Sequence, residues 1–198
     1  MSKLTQEDSD VEVIWCAFEL RPDPVPTLDP KGEYLQRVWR DSVYPLSDRL
    51  GFNMKLPPVQ PRSRKAHEAA HWARSAGSFD EYNLEIFRAF FEKGEDIGKK
   101  DVLVRLASDT GLDGQALGIS LEQGDFEKSV LADEQDAKRC GIRAVPAFVV
   151  GDQMMLSGVQ PLDRLKDLVV WTRSIRGREA EDDCGGWGRT EMTINKNY

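Results

Sequence analysis

GIRAVPAFVVGDQMMLSGVQP, residues 141–161, is the stretch on which the fold turns. Its VPAFVV run is short, apolar and rich in β-branched residues, which predicts a buried strand. Gly151 and Asp152 suit a two-residue hairpin turn, and QMMLSGV returns as a second strand. Pro161 then opens a closing helix with Leu162, Leu165, Leu168 and Val169 on one face. Pro146, at the head of the first strand, is ordinary there when its peptide bond is trans. A cis bond would push the preceding backbone outward, so that the N–H and C=O of Val145 could pair with an extended peptide.

Working outward, VEVIWCAFEL at residues 11–20 is a second β-rich segment, stopped by the four prolines of RPDPVPTLDP. Between it and the hairpin the apolar spacing is helical. Tyr34, Leu35, Val38, Trp39 and Val43 recur at helical spacing, and Pro45 kinks or ends that element before Leu50 and Gly51. An alanine-rich helix is expected over residues 64–76, with Gly77 in left-handed conformation behind it. A stronger stripe follows at Phe79, Tyr82, Ile86, Phe87, Phe90 and Phe91, closed by Gly94. Asp101, Asp113 and Asp125 are candidate caps for three further helices, the last ending at Cys140 and Gly141. The order is strand, helices, hairpin, helix.

The chain has 198 residues, enough for about one domain with a sizeable core. Its 27 basic and 34 acidic residues leave a charge of -7, which repels a phosphate backbone and argues against nucleic-acid binding. The longest charge-free run, residues 153–162, is half of what a spanning helix needs, roughly 20 residues, so no membrane segment is expected. MSKLTQEDSD is polar and acidic, unlike a secretory signal, and points to the cytoplasm.

Five residues spell a catalytic motif: His67, Glu68, Ala69, Ala70 and His71 give HExxH. On a helix both imidazoles share a face and could hold one zinc while Glu68 polarises its water. These are the only two histidines, so a carboxylate such as Glu85, Glu92 or Glu95 would have to be the third ligand, and none stands out. Lys65 puts a charge where the zinc-peptidase pattern usually has an uncharged residue. We therefore assign no metal site and no cofactor.

The three cysteines, Cys16, Cys140 and Cys184, form no CxxC and no disulfide framework. Each lies where ionisation is opposed: Cys16 in an apolar strand, Cys140 at a helix C-terminus, Cys184 behind Glu181, Asp182 and Asp183. GxSxG, GxGxxG and Walker loops are missing.

VEVIWCAFELRP, PPVQPRSRKAHEAAHWA, IFRAFFEKGEDI, LASDTGLD and GIRAVPAFVVGDQMMLSGVQP, in that order and spacing, resemble the DsbA-like thioredoxin-fold family, in particular its FrnE-like branch. The resemblance implies an α/β protein: a thioredoxin-like fold, truncated at its N-terminal side, with an inserted helical subdomain. Residues 11–30 and 142–172 are then the core, residues 31–141 the insert, and residues 173–198 a solvated, disordered tail. It also implies that Val145 and Pro146 are the cis-proline loop that holds substrate peptide, and that HEAAH lies on an insert helix.

The family opens with a strand leading to a CxxC at the start of the first helix, where the helix dipole lowers the first thiol's pKa. This sequence shows neither. MSKLTQEDSD aligns with the end of that helix and VEVIWCAFEL with the second core strand, so Cys16 is not the nucleophile. Because the absent strand is central, something must fill its place: the first ten residues, the C-terminal segment, a partner chain or an upstream segment.

The expected function is that of a DsbA-like thiol:disulfide oxidoreductase relative, inactive as written for want of the CxxC. A non-catalytic peptide- or partner-binding protein is the first alternative and an HExxH zinc hydrolase the second, with a glutathione-using isomerase also in view. The expected partners are a peptide or protein thiol substrate and a second copy of the chain in a homo-oligomer.

Overall fold

The computed structural model describes residues 2–150, 154–180 and 190–196. It divides into two compact units, one of Met1–Phe18 with Asp133–Asn197 and one of Glu19–Ala132.

In the first unit, α1 (Ser2–Glu7) leads into β1 (Val11–Ala17), and β2 (Ala147–Val150), β3 (Met154–Ser157), α9 (Leu162–Ala180) and β4 (Thr190–Lys196) follow the long helical excursion. The sheet order is β1-β4-β2-β3. β4 runs parallel to β1, with Val11 opposite Thr190 and Ala17 opposite Lys196. It runs antiparallel to β2, with Phe148 opposite Ile194, while β2 and β3 pair antiparallel with Phe148 opposite Leu156. The expected turn residues Gly151 and Asp152 lie outside the described residues.

All four residues of β2 are buried. Successive side chains of a strand point to opposite faces, and β2 uses both. Phe148 and Val150 join Leu4, Val11, Leu165, Leu168 and Val169 in one cluster, while Ala147 and Val149 join Ala137 and Ile142 in another. A strand covered on both faces needs an unbroken apolar run, which is why VPAFVV lacks alternation.

Two expectations are corrected here. Residues 173–198 are not wholly a solvated tail: α9 continues to Ala180 and residues 190–196 form β4, which lies in the gap expected at the centre of the sheet. Uncovered backbone groups of β1 and β2 demand partners there, and Thr190, Thr193 and Ile194 suit extended backbone.

The unit boundaries also move, from residues 30 and 141 to Phe18 and Asp133. The proline-rich loop belongs with the helices because the Arg62 guanidinium donates to the carbonyls of Arg21 and Val25, both at 3.0 Å, and Arg64 pairs with Glu19. The end of the eighth helix belongs with the sheet because Ala137 packs there and the Asp133 carboxylate accepts from the Ala17 N–H at 2.7 Å.

The helical unit holds α2 (Glu33–Val38), a π turn at Trp39–Val43, α3 (Tyr44–Leu50), α4 (Arg64–Ser75), α5 (Phe79–Phe91), α6 (Lys100–Asp109), α7 (Gly114–Gln123) and the start of α8 (Glu127–Arg139). Pro45, which has no N–H to give, sits at the start of α3 directly after the π turn. Ala66, Ala69 and Ala73 of α4 let Tyr82, Ile86, Phe90, Leu103, Leu106 and Leu117 close around them. Gly114 is required where α7 meets α6, since a Cβ would lie 2.6 Å from the Val104 carbonyl oxygen. Asp113 caps α7 as expected, accepting from the Ala116 N–H at 3.0 Å. Asp101 does not cap α6. The extended residue before that helix is Lys99, which leaves Asp101 inside the first turn.

Candidate functional site

Val145 and Pro146 sit at the head of β2, an interior strand of the sheet unit, with β3 on one side and β4 on the other. Their peptide bond is cis. The Pro146 carbonyl accepts from the Gly158 N–H at 2.8 Å, so backbone pairing of the hairpin runs one residue past β2. Gly158 has φ +80°, a conformation that favours glycine at this close approach.

Burial changes sharply here. Ala147 is fully enclosed, Val145 and Pro146 are half-buried, and Arg143 and Ala144 are exposed. The sequence-chosen pair therefore stands at the rim of the sheet unit on a strand end that cannot easily shift.

The register shows what else lies at that end. Ala17 is opposite Lys196, and Asn195 is opposite Ala147, so the last residues of β1 and β4 and the first of β2 lie side by side. Asp133 ties down the end of β1 through the Ala17 N–H. Sequence reasoning missed Asp133, because one carboxylate in a charged helix carries no local mark.

Cys16 is half-buried on β1 and opposite Asn195, while Cys140 is exposed just after α8, its N–H donating to the Asp136 carbonyl at 2.9 Å. Neither cysteine forms a disulfide with a described residue. Cys184 lies outside the described residues.

HEAAH lies on α4 in the helical unit. His67 and Glu68 are buried and His71 is half-buried. Burial pushes the Glu68 carboxyl above its ordinary range, an effect that the Lys65 ammonium, 3.6 Å away, opposes. Of the carboxylates considered as a third ligand, Glu85 pairs with Arg88 at 2.6 Å and with Lys93 at 3.6 Å, and Glu95 pairs with Arg105. Among the described residues no group of three or more His, Cys, Asp or Glu side chains is placed to hold a metal. Among them, too, no helix is long and apolar enough to cross a membrane.

Comparison with known proteins adds three findings. The family model described as DSBA-like thioredoxin domain matches residues 1–170. The uncharacterized protein YwbO of Bacillus subtilis (strain 168) is 37% identical over 152 residues, covering 74% of this chain and 75% of that protein. The crystal structure of a probable DsbA oxidoreductase, SCO1869 from Streptomyces coelicolor, superposes with a TM-score of 0.71 at 20% identity, over 87% of this chain and 81% of that one, and shows the same fold.

Proposed function

Because the chain belongs to the DSBA-like thioredoxin domain family, we propose that it binds an extended peptide segment of a protein partner at Val145 and Pro146 and, in this polypeptide, performs no dithiol–disulfide exchange. Such a site works by backbone pairing. An extended segment laid against Val145 exchanges N–H···O=C bonds with it, each contributing about 0.5–1.5 kcal/mol net. Rigidity of the strand end lowers the ordering cost of binding.

The observation that carries the reading is the step in exposure along one pinned strand, from enclosed Ala147 to half-buried Val145 and exposed Ala144. Exchange needs a thiolate to attack and a second thiol to resolve the mixed disulfide. The 198 residues hold three cysteines and no CxxC. The FrnE-like branch and a cytoplasmic place, where thiols stay reduced, belong to the same proposal.

Fluorescence anisotropy with labelled, thiol-free extended peptides tests it. Saturable binding is expected, weakened at least about tenfold, or 1.4 kcal/mol, by Val145→Asp, with no turnover in insulin reduction by the parent protein. Equal binding by parent and variant would overturn the peptide site, and insulin turnover would overturn the non-exchanging reading.

A further inference from the structure

Among the described residues, β4 is the one strand of the sheet unit that lies beyond the residues the family model matches. Its place is nevertheless central: seven residues pair with β1 on one side and four with β2 on the other. In an interior strand, alternate backbone N–H and C=O groups turn to opposite neighbours, so both neighbours depend on it. β1 and β2 themselves lie 130 positions apart in the chain, between Ala17 and Ala147, and pair with β4 rather than with each other.

We infer that the space between β1 and β2 is a strand-binding site whose ligand is a seven-residue extended segment, parallel to β1 and antiparallel to β2, and that this chain supplies the ligand itself as Thr190–Lys196. The family, as the resemblance describes it, fills this position with the strand that leads to the CxxC. Here the position is filled in permuted order, from the C-terminal side of α9. A strand arriving in the family's order has to displace Thr190–Lys196 to enter the sheet. Recognition rests on backbone pairing, so the site and its ligand are separable molecules in principle.

Hydrogen exchange read by mass spectrometry on the full chain tests this. In the parent protein, amides of residues 191–196 are expected to exchange at least about a hundredfold more slowly than in a free peptide of the same sequence. Thr193 lies opposite Ile14 on one side and Val149 on the other. Proline there removes a ladder donor and fits no interior strand, so Thr193→Pro is expected to strip protection from residues 11–17 and 147–150 while residues 64–75 and 79–91 keep theirs. Adding the synthetic peptide TEMTINK to the variant restores protection in β1 and β2, and the same peptide with proline at the fourth position does not. Free-peptide exchange of residues 191–196 in the parent chain overturns the inference. So does a Thr193→Pro variant protected like the parent, or a failure of TEMTINK to outperform its proline version.

Discussion

The helical unit and the sheet unit use chain order in opposite ways. Residues 19–132 build the first as one continuous stretch, whereas the second joins residues 1–18 to residues 133–197. Closing a long loop costs conformational entropy before any contact forms. In the helical unit most of that cost is local, since helix packs on nearby helix. In the sheet unit, β1 meets β4 across most of the chain and β4 meets β2 across about 45 positions, so each segment's loss uncovers the next. A fold built that way is sensitive at single strands, and the largest effects are expected there.

Phe148→Ala should be the most damaging single change. Phe148 packs with Val11, Leu165 and Leu168 on a strand buried on both faces, and truncation of such a ring costs about 3–5 kcal/mol. Urea unfolding, with hydrogen exchange reporting residues 11–17 and 147–150, measures it. A loss below about 1 kcal/mol would mean that the sheet's interior is far looser than its burial indicates.

Next in size is a change in the helical unit. The Glu19 carboxylate is buried, 3% of its side chain exposed, and paired with Arg64, which also reaches Glu127 at 3.8 Å. Arg64→Ala leaves that carboxylate enclosed without its nearest cation and, because Arg64 itself is partly exposed, costs about 2–3 kcal/mol, as for a lost hydrogen bond to a charged group. Proteolysis of the loop around residues 19–30 should accelerate in parallel, since the pair anchors its start. Unchanged proteolysis would show that Arg62 alone holds the loop.

Tyr82→Phe probes the same unit more gently. The buried hydroxyl donates to the Leu103 carbonyl at 2.9 Å, and burial pushes the phenol well above its ordinary pKa, so it stays a donor at every working pH. Removing it should cost about 1 kcal/mol. A shift in the urea midpoint without a change in slope would show that the variant lost stability while exposing the same surface on unfolding.

What the sequence reveals follows the same division. The hairpin, α9 and the helical stripe are local patterns: apolar runs, turn residues and 3.6-residue periodicity lie within short windows, so residues 141–161 announce both the strand pair and the candidate site at Val145 and Pro146. β4 is different. TEMTINK has two strongly apolar residues, Met192 and Ile194, and follows an acidic, glycine-rich stretch. Nothing local raises it above a tail, and only the empty centre of the sheet selects it. Asp133 is hidden for the same reason: its meaning comes from the Ala17 N–H, 116 positions away. The misplaced boundary at residue 30 has a similar cause, since prolines mark a loop but not the unit to which Arg62 and Arg64 fasten it.

The smallest predicted effect compares surface ion pairs across the two units. In the helical unit, Arg88–Glu85 and Arg105–Asp109 are three and four positions apart and decorate single helices. In the sheet unit, Arg173 of α9 forks onto Asp8 with two bonds of 2.7 and 3.0 Å across 165 positions. That hydrogen-bonded guanidinium holds the Asp8 carboxyl below its ordinary range. A lowered carboxylate pKa stabilises the fold above the unfolded value, about 3.9, and the contribution is lost as pH falls through the folded value. Both side chains are about one third exposed, so solvent screening limits the pair to roughly 0.5–1 kcal/mol. Asp8→Asn keeps an oxygen for the Asp10 N–H, which donates to Oδ1 at 3.2 Å, but removes the charge. The variant should be less stable at pH 7 by that amount, converge with the parent once the pH has fallen below the folded carboxyl's pKa, and lose most of its difference in 1 M salt. Glu85→Gln should cost only about 0.2–0.5 kcal/mol under the same conditions. If the two variants proved equal, the distance spanned in sequence would carry no weight at the surface, and the sheet unit's dependence on remote segments would rest on its buried strands alone.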